Sequence, residues 1–152
     1  MIVLANTENV TQLAEQFAMV QTEGLLVFLE GDLGVGKTTF VRAVLRTMGY
    51  EGTVKSPTYT LVETYEFNRT CVHHFDLYRL QHPEELDYLG IEDYITPNAL
   101  VFIEWPDRGN GILPTCDLTF NYTYDGNYEH RYLSILGRTK RGEEIARRLD
   151  AP

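Results

Sequence analysis

Cysteine is scarce in this 152-residue chain: Cys71 and Cys116 are its only two. Two thiols make no disulfide framework, so the fold has to rest on burial, and a reducing compartment is the expected setting. Positive charge is short as well. Lysine and arginine number 13 against 22 aspartates and glutamates, a net charge of -9. So acidic a chain repels polyanions, which disfavours binding RNA alone or resting on an anionic membrane. Long apolar runs are missing too. LLVFL is far too short to cross a bilayer, and MIVLANTENV has neither the basic flank nor the apolar core of a signal peptide. A cytoplasmic protein without membrane association is expected. What is present is ordinary: 43% hydrophobic and 23% charged residues suit a single globular domain over 1–152.

Patterning along the chain indicates a mixed α/β domain. MIVLA reads as an edge strand. In NTENVTQLAEQFAMV, Val10, Leu13, Ala14, Phe17 and Ala18 share a helical face, with Asn6 or Thr7 as the N-cap. LLVFLE and ALVFIEW are near-continuous apolar runs, as expected of strands covered on both faces. A helical pattern follows Gly36 and stops at Gly49. Tyr59–Tyr78 alternates around Asn68-Arg69, a hairpin signal, and DLTFNYTY and YEHRYLSIL flank Asp125-Gly126, another. HPEELDYLG opens a helix with Pro83 in its first turn, and TKRGEEIARRLD forms an amphipathic one. No repeat or linker interrupts them.

Gly31-Asp32-Leu33-Gly34-Val35-Gly36-Lys37-Thr38 fits the phosphate-loop pattern GxxxxGK(S/T) between a buried strand and a helix. Its glycines let successive N–H groups converge on phosphate oxygens, and the helix adds its N-terminal donors. Lys37, expected to be partly exposed, would reach the β- and γ-phosphates, and the Thr38 hydroxyl would sit on Mg²⁺. Glu104 ends the run Leu100-Val101-Phe102-Ile103, where a metal-supporting acid belongs; a carboxylate buried there needs a cation. Asp76 ends CVHHFD and is either a second acid or a turn aspartate. Ser56-Pro57-Thr58 is either a turn or a loop whose hydroxyls sense the γ-phosphate. Paired strand histidines without a metal describe His73 and His74 better than a metal site does. Trp105 either packs on the nucleotide or is an ordinary buried aromatic. Arg131 either reaches a phosphate or, more commonly, pairs with a cross-strand carboxylate.

Taken in order, GDLGVGKTTF, VKSPTYTLVE, HHFDLYRL, PEELDYLGIEDY and FIEWPD resemble one family, the bacterial tRNA threonylcarbamoyladenosine biosynthesis ATPases (TsaE, formerly YjeE). The resemblance spans about Leu4 to Pro114. It implies a P-loop NTPase domain with a mixed, mainly parallel sheet and helices on both faces. It also implies an ATPase that uses Mg²⁺ and acts with TsaB and TsaD partners in modifying the adenosine beside the anticodon of ANN-decoding tRNAs. Hydrolysis would be slow alone and partner-stimulated, with tRNA met only through the complex. Lys37, Asp76 and Glu104 would be catalytic, and Thr38 and Glu104 would ligate the metal. The nucleotide would be held by Asp32, Leu33, Gly34, Val35, Gly36, Lys37, Thr38 and Thr39. Further contacts would come from Thr7 near the adenine, the switch-like Ser56 and Thr58, Trp105, Asp107 and Arg131. A small-molecule P-loop kinase is the alternative, but such kinases need a lid of arginines, and here the arginines are scattered without a lid-like insertion. A binding module that hardly hydrolyses ATP is a third reading.

Overall fold

The computed structural model describes residues 1–21 and 23–150; positions 22, 151 and 152 lie outside it. Among the described residues one seven-stranded sheet has the order β1 (Ile2–Leu4), β7 (Arg131–Gly137), β6 (Leu118–Tyr124), β2 (Leu26–Glu30), β5 (Ala99–Glu104), β4 (Thr70–Asp76), β3 (Val62–Phe67). β1, β6, β2, β5 and β4 run the same way, and β7 and β3 oppose them, so the sheet is mixed and mainly parallel.

Both faces are covered. Val27 and Leu29 of β2 point with Leu100 and Phe102 of β5 toward α1 (Thr7–Val20), α2 (Lys37–Thr47) and α4 (Lys140–Leu149). Leu26, Val101 and Ile103 point the other way, toward α3 (Glu85–Leu89) and a 3₁₀ turn at Ile91–Asp93. This two-sided burial is why β2 and β5 read as unbroken apolar runs. Phe40 of α2 stands 5.1 Å from Phe120, 5.7 Å from Phe17 and 6.1 Å from Phe102, ring centre to ring centre, the last two edge to face. Such interlocked aromatic packing fixes α2, and with it the loop at its N-terminus. No described helix is long and apolar enough to cross a membrane.

Local signals hold at most boundaries and shift at three. Asn68 and Arg69 both take positive φ, 48° and 61°, forming the two-residue turn of the β3–β4 hairpin. The helix cap is Asn6, whose side chain accepts the Asn9 N–H at 3.0 Å; Thr7 is the first helical residue. Tyr59 and Thr60 belong to a turn, however, because the Leu61 N–H closes onto the Pro57 carbonyl at 2.9 Å. α3 starts at Glu85, leaving Pro83 ahead of its cap. Asp125-Gly126 opens a six-residue loop, not a two-residue turn: the Asp125 carboxylate takes the N–H groups of Asn127 and Glu129, at 3.2 and 2.9 Å, and β7 starts only at Arg131.

At the opposite end of the sheet, buried Asp117 ties three segments together. Its carboxylate accepts the Leu26 N–H at 2.9 Å, the Thr139 hydroxyl at 2.8 Å, and Nε and Nη2 of Arg141 at 3.0 Å each. Thr139 in turn caps α4 by accepting the Gly142 N–H at 3.1 Å. A Cβ on Gly142 would overlap the Asp117 carbonyl oxygen, so only glycine lets α4 dock this closely. Burial pushes the Asp117 carboxyl up, but the bonds from Arg141, Leu26 and Thr139 outweigh it and hold it below the ordinary carboxylate value.

Candidate nucleotide-binding site

The loop after β2 turns through Gly31, Gly34 and Gly36, at φ 146°, 76° and 115°. Gly31 has no room for a side chain: a Cβ would come within 2.9 Å of Tyr122 and Val35. Gly36 caps α2 in a left-handed conformation with no side-chain bond of its own. The first N–H groups of α2 therefore lie open, a ready anion site reinforced by the helix dipole.

Two cavities meet at this loop and share Gly34, Gly36 and Thr39. One, of about 200 Å³, is lined by Lys37, Thr38, Thr58, Asp76, Glu104 and Trp105 among others, Leu33 included. The other, of about 270 Å³, lies between the loop and the start of α1, with Asn6, Thr7, Val10, Val35, Tyr122 and Arg131 on its walls. Together they offer a polar, acid-lined chamber beside a more apolar one.

Lys37 departs from its expected exposure. Only 4% of it meets solvent: its Nζ donates to the Gly31 carbonyl, lies 3.4 Å from that of Asp32, and sits 4.1 Å from the Trp105 ring centre. Burial lowers its pKa, opposed by the charges of Glu104, Asp76, Asp32 and Asp107. The ammonium thus occupies loop carbonyls and an indole face, contacts it can exchange for phosphate oxygens.

The two strand-end acids stand side by side because β4 and β5 are parallel and pair Asp76 with Glu104. Glu104 is buried, and its Oε2 accepts the Thr38 hydroxyl at 2.7 Å while facing His74 Nε2 at 2.6 Å. Asp76 accepts the Tyr78 N–H at 3.0 Å and the Thr58 hydroxyl at 3.3 Å. Burial raises its pKa; the Tyr78 bond opposes this and the Glu104 charge adds to it. Thr58 also shares a 2.8 Å hydrogen bond with Ser56, so the Ser56-Pro57-Thr58 turn is tied to the acid chamber. It is a turn, and Thr58 lines the chamber.

Other residues divide between the two cavities and the surface. Trp105 takes a positive φ of 57° and turns its half-buried ring to Lys37 and the cavity. Arg131 lines the α1 cavity near Gly36. Among the described residues it pairs with no carboxylate; its cross-strand neighbours are Leu4 and Tyr124, the ring of the latter 5.9 Å away, and its buried Nε has no partner. Asp32 is exposed and contributes its carbonyl. Ser56 and Asp107 line neither cavity, Asp107 acting on Lys37 through its charge alone.

Three contributors were not anticipated. His74 lies under Glu104, while strand alternation turns His73 to the opposite face, against Thr64 Oγ1 at 2.8 Å. Period-two counting back from Asp76 would have flagged His74. Tyr122 puts beside the loop a buried hydroxyl that has no partner among the described residues, and Tyr124 donates to the Gly34 carbonyl at 3.1 Å. Neither tyrosine carries a local signal.

Known proteins share this sequence and fold. A family model described as threonylcarbamoyl adenosine biosynthesis protein TsaE matches residues 4–133. A tRNA threonylcarbamoyladenosine biosynthesis protein TsaE from Haemophilus influenzae is 44% identical over 133 residues, covering 87% of this chain and 83% of the relative. Its counterpart from Rickettsia bellii is 40% identical over 114 residues, 74% of this chain and 78% of the relative. The crystal structure of YdiB from Bacillus subtilis superposes with a TM-score of 0.81 at 25% identity, over 97% of this chain and 90% of that one. Since the matched stretch carries the loop, both strand-end acids and Arg131, the chain belongs to the TsaE family.

Proposed function

We propose that the protein is a Mg²⁺-dependent ATPase serving threonylcarbamoylation of the adenosine beside the anticodon of ANN-decoding tRNAs, together with TsaD-like and TsaB-like partners in the cytoplasm. The observation that carries the ATPase reading is the meeting of Lys37, Thr38, Asp76 and Glu104 in one chamber beside the open N-terminus of α2. The assignment to tRNA modification comes from the family and its relatives' names.

In this reading the loop N–H groups and Lys37 bind the β- and γ-phosphates, while the cavity of Thr7, Val10 and Arg131 receives the nucleoside. The Thr38 hydroxyl and the Glu104 carboxylate are hard oxygen donors at the loop mouth, a set that suits Mg²⁺, which keeps the rest of its shell as water and phosphate. That ion would draw charge from the phosphate oxygens. Asp76, its carboxyl raised by burial, orients the attacking water and is better poised than a solvated aspartate to accept its proton. Thr58, bonded to Asp76, couples the Ser56–Thr58 turn to the γ-phosphate position. Of the arginines only Arg131 lines either cavity, which favours hydrolysis over a kinase with an arginine lid. It also leaves the transition-state charge undercompensated until a partner docks. With a net charge of -9, contact with tRNA falls to the partners.

The test is steady-state ATP turnover titrated with the partner complex, alongside partner binding in ADP and in a non-hydrolysable ATP analogue. Turnover should be slow alone and rise on docking, and by reciprocity the nucleotide should change partner affinity. A flat curve with nucleotide-independent affinity would overturn the proposal, and phosphate transfer to a small acceptor would move the kinase reading ahead.

A further inference from the structure

We propose that His74 is a positioning residue for the acid at the end of β5: it clamps the Glu104 carboxylate from the sheet side, and so sets how tightly a divalent cation is held at the loop mouth. The inference rests on the site reading above and adds a residue to it.

His74 is fully buried on β4, two residues before Asp76 and on the same strand face. Register places it beside Phe102, one step behind the Asp76–Glu104 pair. On that face it is flanked by the apolar Val72, Leu100 and Phe102, and across β3 by Glu63, whose carboxylate accepts the Thr60 hydroxyl at 3.0 Å. A position needing only volume would be apolar too, because a buried ring nitrogen is costly without a partner. Among the described residues Nδ1 has none, so all the polarity of the ring seen there is spent on one contact, Nε2 to Glu104 Oε2 at 2.6 Å. A carboxylate oxygen only accepts, so Nε2 carries the hydrogen and donates.

The other donor to that oxygen is Thr38, at 2.7 Å. Thr38 stands on the loop side, where phosphate and cation arrive, whereas His74 stands on the rigid sheet. One oxygen of Glu104 is thereby held between a fixed and an adjustable donor. Hydrogen-bonded partners of this kind orient a ligating carboxylate, and their removal typically costs about 10–100-fold in metal affinity.

The geometry supplies a discriminating pair of variants. In His74→Gln the side-chain amide reaches the place of Nε2, while in His74→Asn it reaches only the place of Nδ1. Mg²⁺ is titrated against binding of a non-hydrolysable ATP analogue, with thermal melting and metal-free nucleotide affinity measured in parallel. His74→Asn should weaken Mg²⁺ binding by about 10–100-fold, with metal-free nucleotide affinity unchanged, and His74→Gln should stay near the parent. Parent-like Mg²⁺ affinity in His74→Asn would overturn the proposal. So would equal losses in both amides, since that outcome assigns His74 to packing. Absence of any Mg²⁺ dependence in the parent would instead overturn the site reading, and this inference with it.

Discussion

Asp117 lies far from the loop, and its replacement separates what holds the domain together from what binds its ligand. Asp117→Ala strands the buried Leu26 N–H, and an unsatisfied buried donor costs about 1–3 kcal/mol. Thr139 loses an acceptor, for about 0.5–1.5 kcal/mol more. The Arg141 side chain is 47% exposed and rehydrates, so its ion pair adds only about 0–1 kcal/mol. The expected loss is about 1.5–5.5 kcal/mol, which for a domain of this size lowers the melting temperature by roughly 3–22 °C. The pH dependence follows in sign. The folded pKa of Asp117 lies below its unfolded value, so the stabilisation is complete above the ordinary value of 3.8 and fades as pH falls through the folded one. Urea titrations at neutral and strongly acid pH should therefore show parent and variant far apart in the first and converging in the second. Nucleotide affinity of the folded variant should not change. A neutral-pH difference under about 0.5 kcal/mol would refute the reasoning, because that is the scale of an ordinary surface substitution.

Lys37→Met keeps the buried stem and removes the charge; losing a hydrogen bond to a charged group, worth about 1.5–3 kcal/mol, should weaken ATP binding roughly 10- to 150-fold by calorimetry without lowering the melting temperature. Asp76→Asn should reduce turnover yet melt higher than the parent at neutral pH. Burial raises the folded pKa of Asp76, so the cost of its charge is full above that value and gone below the unfolded 3.8, and melting curves across that window should converge toward acid. Filter binding at physiological salt should find little tRNA affinity in the isolated chain; tight binding with a steep salt slope would count against the charge argument.

The parts of the site that are legible in sequence are those with local causes. Glycine spacing marks the loop because only certain residues take its dihedrals, and Glu104 and Asp76 stand out because each ends a strand pattern. Residues whose role comes from tertiary pairing are not legible in this way. His74 and His73 look alike in a row, and only the face that each occupies tells them apart. The depth of Lys37 depends on Trp105 folding back over it from a positive φ, and the Tyr124 cross-strand neighbour of Arg131 follows from a register that the Asp125-Gly126 signal misplaces. Asp117 gives no sign at all, since its four donors come from the start of β2 and the start of α4, both remote from it in sequence.

The contact between Lys37 and Trp105 has an optical consequence. Trp105 is the only tryptophan in the chain, and the ammonium lies 4.1 Å from its ring centre. A cation held against an indole face shifts the energy of its excited state, so any ligand that draws Lys37 toward a phosphate alters the emission of that one fluorophore, with no second indole to dilute the signal. Occupancy of the loop can then be watched in stopped flow on the unlabelled protein, and the motion of the lysine itself becomes the clock.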